Sequence, residues 1–189
     1  VLLAWWVREN KKDRHIWPGL YASGVDGERG ADEIVNQVMV ARALASQGPG
    51  HVHFSMKALQ KNYGGLADSL IGRPYAQPAL IPTSPWLDDQ PPQPPSLKID
   101  IEDEDVRVQW AHAEVDDVWR WVVYYKRGGR WQYAFYNGNI RQCRLPLVVQ
   151  EATEAGREAK EQELLREVAV SALDRLGNES EKTRLAVGQ

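Results

Sequence analysis

Short apolar runs alternate with amphipathic helical patterns in the first half of the chain. An apolar run over residues 15–22 predicts a strand, and a polar, Gly-rich stretch follows it. Residues 31–46 carry apolar side chains at helical spacing, which predicts a helix that Gly-Pro-Gly at residues 48–50 ends. A second apolar run covers residues 51–58, and a short helical pattern covers residues 66–70. Strand, helix, strand and helix form the repeat of a parallel sheet, so the pattern predicts an α/β fold for this half.

Apolar and polar residues alternate with a period of two along most of the second half. The alternation predicts seven short strands, near residues 97–102, 106–110, 119–126, 131–135, 140–147, 168–173 and 183–187. Strands at this spacing are typical of an immunoglobulin-like or fibronectin-type sandwich, which we expect over residues 96–189. Residues 151–167 hold six Glu, two Arg and one Lys, and they are predicted to form a charged insert, either a solvated helix or a mobile loop.

A proline-rich segment separates the two halves. Residues 88–95 read Asp-Asp-Gln-Pro-Pro-Gln-Pro-Pro, a composition that favours a stiff, extended polyproline conformation. We interpret the segment as an interdomain linker, with a surface loop as the alternative. The predicted organisation is therefore an α/β domain over residues 1–87, the linker over 88–95 and the sandwich over 96–189.

Composition excludes several classes of function. A net charge of −3 gives no global basic footprint for nucleic acid, and no apolar run approaches the roughly 20 residues of a membrane helix. Cys143 is the single cysteine, which excludes an intramolecular disulfide and a multi-cysteine metal site. His51 and His53 lack a third ligand nearby, and no phosphate-binding loop is evident, so neither a metal nor a cofactor is expected. The 8 Trp and 7 Tyr against 2 Phe suggest amphipathic aromatic side chains at a surface or groove as well as in a core.

Five blocks of the first half carry a family resemblance. They are Arg-His-Ile-Trp-Pro-Gly-Leu-Tyr at residues 14–21, Glu-Ile-Val-Asn-Gln at 33–37, His-Phe-Ser-Met-Lys-Ala-Leu at 53–59, Gly-Leu-Ala-Asp at 65–68 and Tyr-Ala-Gln-Pro-Ala-Leu at 75–80. In order and spacing they resemble the C-terminal end of the barrel in glycosyl-hydrolase-like family 10, a bacterial group of (β/α)8-barrel proteins. The resemblance implies that residues 1–87 hold the last two βα units of such a barrel, with 15–22 and 51–58 as roughly its seventh and eighth strands. A full barrel takes about 250 residues, so its other strands are expected upstream or from another copy or chain.

A second resemblance lies near the end of the chain. Residues 168–175 and 177–180 resemble the penultimate strand and following turn of a fibronectin type III module, which often trails these barrels. Together the resemblances imply the C-terminal part of a glycoside hydrolase-like protein that acts on a cell-envelope, peptidoglycan-like or extracellular polysaccharide. The expected partners are a glycan and the upstream barrel segment, and the expected location is the cell envelope or the exterior. The alternative is a non-catalytic module that binds carbohydrate or protein.

The carboxylates that glycoside hydrolysis needs are not evident in this chain. Such enzymes use two carboxyl groups flanking the scissile bond, and barrel enzymes keep catalytic groups at the C-terminal ends of strands. Asp26 and Asp68 are the first acidic residues after the two predicted barrel strands, and each lies several residues beyond its strand. They are better interpreted as loop or helix-cap residues. The catalytic residues are therefore unknown, and the pair is expected upstream of this chain.

Six residues are predicted to contact substrate. On the second strand the period of two places His53, Ser55 and Lys57 on one face, toward the interior of the barrel, with Phe54 and Met56 packed outward against helices. On the first strand His15, Trp17 and Tyr21 share a face, and Trp17 is a candidate for stacking on a sugar ring. The alternatives are a satisfied polar core cluster or a strand near solvent for the second strand, and a core position for Trp17.

Overall fold

The computed structural model describes residues 2–26, 29–45, 48–113, 117–150 and 162–188. The chain contains two units, Val1–Ser84 and Pro85–Gln189. The first unit combines helices with a parallel pair of strands, and the second is built from antiparallel strands. The prediction of an α/β part followed by an all-β part is confirmed at this level. The proline-rich segment 88–95 falls inside the second unit.

The first unit alternates helices with two strands of three residues. In chain order its elements are α1 (Leu2–Glu9), β1 (Gly19–Tyr21), a 3-10 helix (Ala22–Asp26), α2 (Ala31–Leu44), β2 (Val52–Phe54), α3 (Met56–Gln60), a second 3-10 helix (Tyr63–Gly65) and α4 (Leu66–Gly72). Strands β1 and β2 pair in parallel. Acidic residues in the first turn of α2, Asp32 and Glu33, favour that end of the helix through its dipole.

One face of α2 forms the core of the first unit. Ile34, Val35 and Val38 are buried, and they belong to one apolar cluster with Leu20 of β1 and Leu66 of α4. Burying an aliphatic side chain of this size stabilises a fold by about 1.5–3 kcal/mol. The helix predicted over residues 31–46 is therefore present and faces the core as expected, although residue 46 lies outside the described residues.

Both strands of the first unit are shorter than the sequence predicts. The strand predicted over residues 51–58 ends at Phe54, and α3 begins at Met56. Met, Lys, Ala and Leu at 56–59 are all good helix formers, so local propensity favours the helix over continued alternation. The strand predicted over residues 15–22 shrinks to Gly19–Tyr21, because Pro18 has no N–H to donate to a ladder.

The described residues of the second unit form eight strands. They are β3 (Ser96–Glu102), β4 (Asp105–Ala111), β5 (Arg120–Arg127), β6 (Arg130–Asn137), β7 (Gln142–Pro146), β8 (Val148–Gln150), β9 (Gln162–Leu173) and β10 (Thr183–Ala186). One sheet has the order β3-β4-β7, and the other has the order β10-β9-β5-β6 with β8 paired to β9. The seven predicted strands correspond to β3 to β7, β9 and β10, and β8 is an addition. Gly128 and Gly129 have φ of 50° and 80°, the left-handed conformations that a tight β5–β6 hairpin requires.

Part of the predicted insert is a strand. The described part of residues 151–167 begins at Gln162, where β9 starts, and β9 runs antiparallel to β5 and β8. The prediction of a helix or loop is therefore wrong for residues 162–167. The glutamates predicted a solvated segment, but two of them form ion pairs within the sheet. Glu163 pairs with Arg130 on β6, and Glu167 pairs with Lys126 on β5. Residues 151–161 lie outside the described part of the chain.

Two tryptophans anchor the core of the second unit. Trp110 and Trp121 are buried with Val106, Val123 and Val170, and their rings lie 6.2 Å apart. Both indole N–H groups are satisfied: Trp110 Nε1 donates to the Ile140 carbonyl at 3.1 Å, and Trp121 Nε1 donates to the Gly138 carbonyl at 3.2 Å. Each tryptophan therefore buries a large apolar area while its indole N–H keeps a hydrogen-bond acceptor.

Candidate functional site

The open face of the β1–β2 pair carries two exposed aromatic rings. Leu20 and His53 are register partners, and so are Tyr21 and Phe54. Leu20 is buried against α2, so the partners Tyr21 and Phe54 lie on the opposite face, where they are 50% and 64% exposed. Their rings stack with centroids 6.1 Å apart. The pair forms a flat aromatic surface, which we call the open face.

A second aromatic pair precedes β1. The His15 ring stacks on Trp17 with centroids 5.5 Å apart, and Trp17 is 51% exposed. A carbonyl accepts hydrogen bonds, so His15 Nε2 donates to the Thr83 carbonyl at 2.9 Å. The Trp17 indole rests on Gly50, where an added Cβ would come within 2.5 Å of Nε1. Trp17 is thus half-exposed in this chain and held in place by its neighbours.

Two serines join the carboxyl ends of the strands. Ser55 follows β2, and its backbone N–H donates to Ser23 Oγ at 3.2 Å. The two hydroxyl oxygens lie 3.3 Å apart. Next to them, the Arg29 guanidinium lies 5.8 Å from the centre of the Tyr21 ring. This end of the open face therefore combines hydroxyl donors and a cation with an aromatic ring, a combination that suits polar ligands with apolar faces.

The predicted common face of His53, Ser55 and Lys57 does not form. Alternation of side chains holds only within a strand, and β2 ends at Phe54, so Lys57 lies in α3 with its side chain exposed. His53 shares the face of Leu20 on the side of α2, and Phe54 occupies the open face instead. Phe54 and Met56 are exposed and do not pack outward against helices as predicted.

His53 belongs to a polar cluster behind the sheet. His53 Nε2 lies 2.7 Å from the Tyr75 hydroxyl, and His51 Nε2 bonds to the same hydroxyl. A hydroxyl has one hydrogen, so one histidine accepts from Tyr75 and the other donates to it. Burial, aided by the charges of His53 and Arg42, lowers the pKa of His51 to about 4, and burial also lowers the pKa of His53. Both rings are therefore neutral at pH 7, and the cluster is a polar cluster that is only partly satisfied, because Nδ1 of each histidine is buried without a hydrogen-bond partner among the described residues.

The two acidic residues have the positions expected of loop and cap residues. Asp26 ends the 3-10 helix after β1 and is exposed. Asp68 lies in the first turn of α4, and its Oδ2 accepts a hydrogen bond from Asn62 Nδ2 at 2.7 Å. Neither carboxylate is part of the open face.

Three further observations concern the thiol, metal binding and membrane spans. Burial raises the pKa of the Cys143 thiol, which keeps it protonated and unsuited to act as a nucleophile. Within the described ranges, no group of three or more His, Cys, Asp or Glu side chains is placed to hold a metal ion. In the same ranges, no helix has both the length and the apolar character needed to cross a membrane.

The sequence missed three residues of this region: Ser23, Phe54 and Tyr75. As an apolar residue of an alternating strand, Phe54 was predicted to pack against helices. Only its pairing with Tyr21 shows that it lies on the open face. Tyr75 lies 22 residues from His53, so no local pattern connects them. Ser23 is a loop residue in sequence, and its role depends on the parallel pairing of two strands about 30 residues apart.

Comparison with known proteins gives one sequence relative and several partial structural likenesses. No family model matches the chain. A Bacillus subtilis (strain 168) protein named glycosyl hydrolase YngK is 36% identical over 110 residues, which are 55% of this chain and 21% of that protein. The chain therefore spans about a fifth of the length of this curated relative. The match supports a glycoside-hydrolase-like relationship, while membership of family 10 stays a prediction.

The solved structures match at low TM-scores. The spore cortex lytic enzyme SleM of Clostridium perfringens gives a TM-score of 0.36 at 16% identity, over 52% of this chain and 28% of that one. The glycoside hydrolase domain of Endo-D from Streptococcus pneumoniae R6 gives 0.34 at 22% identity, over 52% and 15%. An FN3 domain of human collagen XX gives 0.36 at 17% identity, over 58% and 100%. A fibronectin type III assignment for the second unit stays a prediction.

Proposed function

We propose that this chain is part of a glycoside hydrolase that acts on a cell-envelope, peptidoglycan-like or extracellular polysaccharide, outside the cytoplasm. The observation that carries the proposal is the 36% identity over 110 residues to a protein named glycosyl hydrolase. The open face supports it, because exposed Tyr21 and Phe54 rings offer the flat, electron-rich surface on which sugar C–H groups stack.

In this proposal the residues around the open face contact the glycan. Trp17, Tyr21 and Phe54 supply the stacking surfaces, with His15 fixing the orientation of Trp17. Ser55 directly follows β2 and would bond to sugar hydroxyls, and Lys57 in the first turn of α3 presents an exposed ammonium group. His53 is turned toward Tyr75, so its role is to hold that side chain.

The catalytic carboxylates are assigned to a part of the protein that precedes residue 1. Hydrolysis needs one carboxylic acid to protonate the leaving oxygen and one carboxylate as nucleophile or base. We further propose that this preceding part supplies the remaining strands of a (β/α)8 barrel. Two parallel strands of three residues leave unpaired backbone groups at both edges of the pair, and neighbouring strands would satisfy them.

The test begins with the coding sequence upstream of residue 1. It should encode further βα units with Asp or Glu at strand ends, and the longer protein should release reducing ends from peptidoglycan or another polysaccharide. Tyr21→Ala in that protein should raise KM several-fold, because stacking area is lost. Met39→Ala on the exposed side of α2 is the matched control and should leave KM unchanged. Absence of strand-end carboxylates, or equal KM for Tyr21→Ala and Met39→Ala, would overturn the proposal.

The second candidate is a binding module without catalysis. It is favoured by the placement of Asp26 and Asp68 away from the open face. It predicts glycan binding to the 189-residue chain with no turnover in the longer protein. The same reducing-end assay separates the two candidates.

A further inference from the structure

A groove on the second unit combines aromatic and basic side chains. It is lined by six residues and encloses about 330 Å³; we call it the outer groove, formed by Tyr124, Trp131, Tyr133, Ala169, Lys182 and Arg184. Sites for small ligands usually measure roughly 300–1,000 Å³, so this volume suits a single small unit of a ligand. The groove lies on strands β5, β6 and β9 and at the start of β10.

Register places aromatic and basic residues on opposite sides of a small floor residue. Tyr124 is the partner of Tyr133 on one side and of Ala169 on the other, and Ala169 is the partner of Arg184. Partners in a sheet point to the same face, so these four side chains form one row across the strands. Ala169 is buried although it lies on the outer face, which makes it the floor. The aromatic wall on β5 and β6 and the basic wall on β10 rise beside it.

The two lysines at the groove have carboxylate partners, whereas Arg184 has none among the described residues. Lys126 is paired with Glu167 at 2.9 Å, and Lys182 with Glu179 at 3.7 Å. Glu179 also accepts a hydrogen bond from the Tyr124 hydroxyl at 2.6 Å. Arg184 is exposed, and no carboxylate of the described residues lies within ion-pair distance of it.

Arg184 instead lies beside an exposed aromatic ring. Its guanidinium carbon is 5.9 Å from the centre of the Trp131 ring, and Trp131 is 40% exposed. A cation near a ring gains from the negative face of that ring, and the contact also limits the conformations of the arginine. An oriented guanidinium can bind a carboxylate through two parallel hydrogen bonds. The groove thus combines an available anion-binding group with a ring on which a sugar can stack.

We propose that the outer groove binds one carboxylate-bearing pyranose unit of an acidic glycan. The pyranose ring stacks on Trp131 over the Ala169 floor, and its carboxylate pairs with Arg184. A nucleic acid is a poorer fit, since phosphate backbones are bound by several cations and both lysines beside the groove already have carboxylate partners. This site is independent of the open face and of the function proposed above.

Calorimetric titration of the 189-residue chain tests the proposal with matched ligands. A tetrasaccharide of galacturonic acid should bind, and its methyl ester, which keeps the rings and removes the charge, should bind at least tenfold more weakly. A tetraglutamate peptide supplies the charge without the rings and should show no measurable binding. Binding of the uronate should weaken as salt is added, because charge pairs are screened.

Variants locate the binding in the groove. Arg184→Gln should weaken uronate binding about tenfold or more, because a charged hydrogen-bond partner is lost. Arg144→Gln removes an exposed arginine on β7 in the other sheet and should leave binding unchanged. Ala169→Leu should abolish binding by filling the groove, and if that variant does not fold, Trp131→Ala should weaken binding in its place. No uronate binding, equal binding of the ester or the peptide, or equal effects of Arg184→Gln and Arg144→Gln would overturn the proposal.

Discussion

Leu20 and His53 are register partners in the parallel pair β1–β2, so an apolar and a polar side chain share the face that packs toward α2. The apolar partner joins the core, and the polar one bonds to the Tyr75 hydroxyl at 2.7 Å. Their arrangement leaves Tyr21 and Phe54 as the exposed pair on the other face. Because Leu20 is buried and Phe54 is exposed, we expect their truncation to affect stability differently.

Leu20→Ala should destabilise the first unit more than Phe54→Ala does in the same 189-residue chain. Removing the buried leucine leaves a cavity and costs about 2–5 kcal/mol, whereas truncating an exposed side chain changes stability by roughly 0.5 kcal/mol. Hydrogen exchange of the α2 amides measures the opening free energy of this unit by itself. A larger loss of protection in Phe54→Ala would mean that the two faces are assigned the wrong way round.

Stability of the first unit should fall as the pH drops from 6.5 toward 4. The pKa of His51 is about 4 in the folded chain because of burial and the charges of His53 and Arg42, against an ordinary value of 6.5. Between these pH values the unfolded chain binds more protons, so stability is fully present above pH 6.5 and is lost progressively below it. Proton NMR of the imidazoles should show His51 titrating near pH 4.

His51→Gln provides the stability comparison for that titration. The variant should show a weaker loss of α2 protection between pH 6.5 and 4 than the parent chain. His112→Gln, in the second unit, should leave the pH dependence of the first unit as it is. An imidazole of His51 that titrates at or above pH 6.5 would contradict the buried cluster.

Residues 85–189 should form a more stable domain than residues 96–189. Three carbonyl groups of the proline-rich segment accept hydrogen bonds from side chains of the second unit: Asp88 from Asn178, Gln93 from His112 and Pro95 from Thr183. At about 0.5–1.5 kcal/mol for each bond, their loss should lower the free energy of unfolding by roughly 1.5–4.5 kcal/mol. Urea denaturation of the two polypeptides measures it, and equal midpoints would show that the segment acts only as a tether.

Asp174→Ala should destabilise the second unit by about 1–3 kcal/mol or more, because buried donors lose their acceptor. Asp174 Oδ1 accepts from the backbone N–H of Leu176 at 2.7 Å and of Asn178 at 2.9 Å. Asp174 Oδ2 also accepts from Asn178 Nδ2 at 2.8 Å. Asp174→Asn keeps one acceptor oxygen and should lose less. Thermal unfolding of the second unit ranks the two variants, and a neutral Asp174→Ala would mean that water replaces the carboxylate without cost.

The sequence by itself determined the elements with strong local signals. Periods of two placed β3 to β6 within a residue or two of their bounds. In β4 the period corresponds to burial, because Val106, Val108 and Trp110 are buried and the residues between them are only half-buried. Helix α2 followed from apolar residues at helical spacing. Trp17 and Tyr21 are both exposed, and their predicted contact with substrate stays a prediction.

Tertiary structure alone decided which side chains meet. The face of His53 depends on its pairing with Leu20, more than 30 residues away, and no local pattern encodes that register. Strand β2 ends at Phe54 because the helix propensity of residues 56–59 outweighs the alternating pattern. Lys57 therefore lies in α3 and not in the strand. The outer groove exists because Ala169 faces Tyr124 across β5 and β9 and Arg184 across β10, and a small residue becomes a floor only when its partners are large.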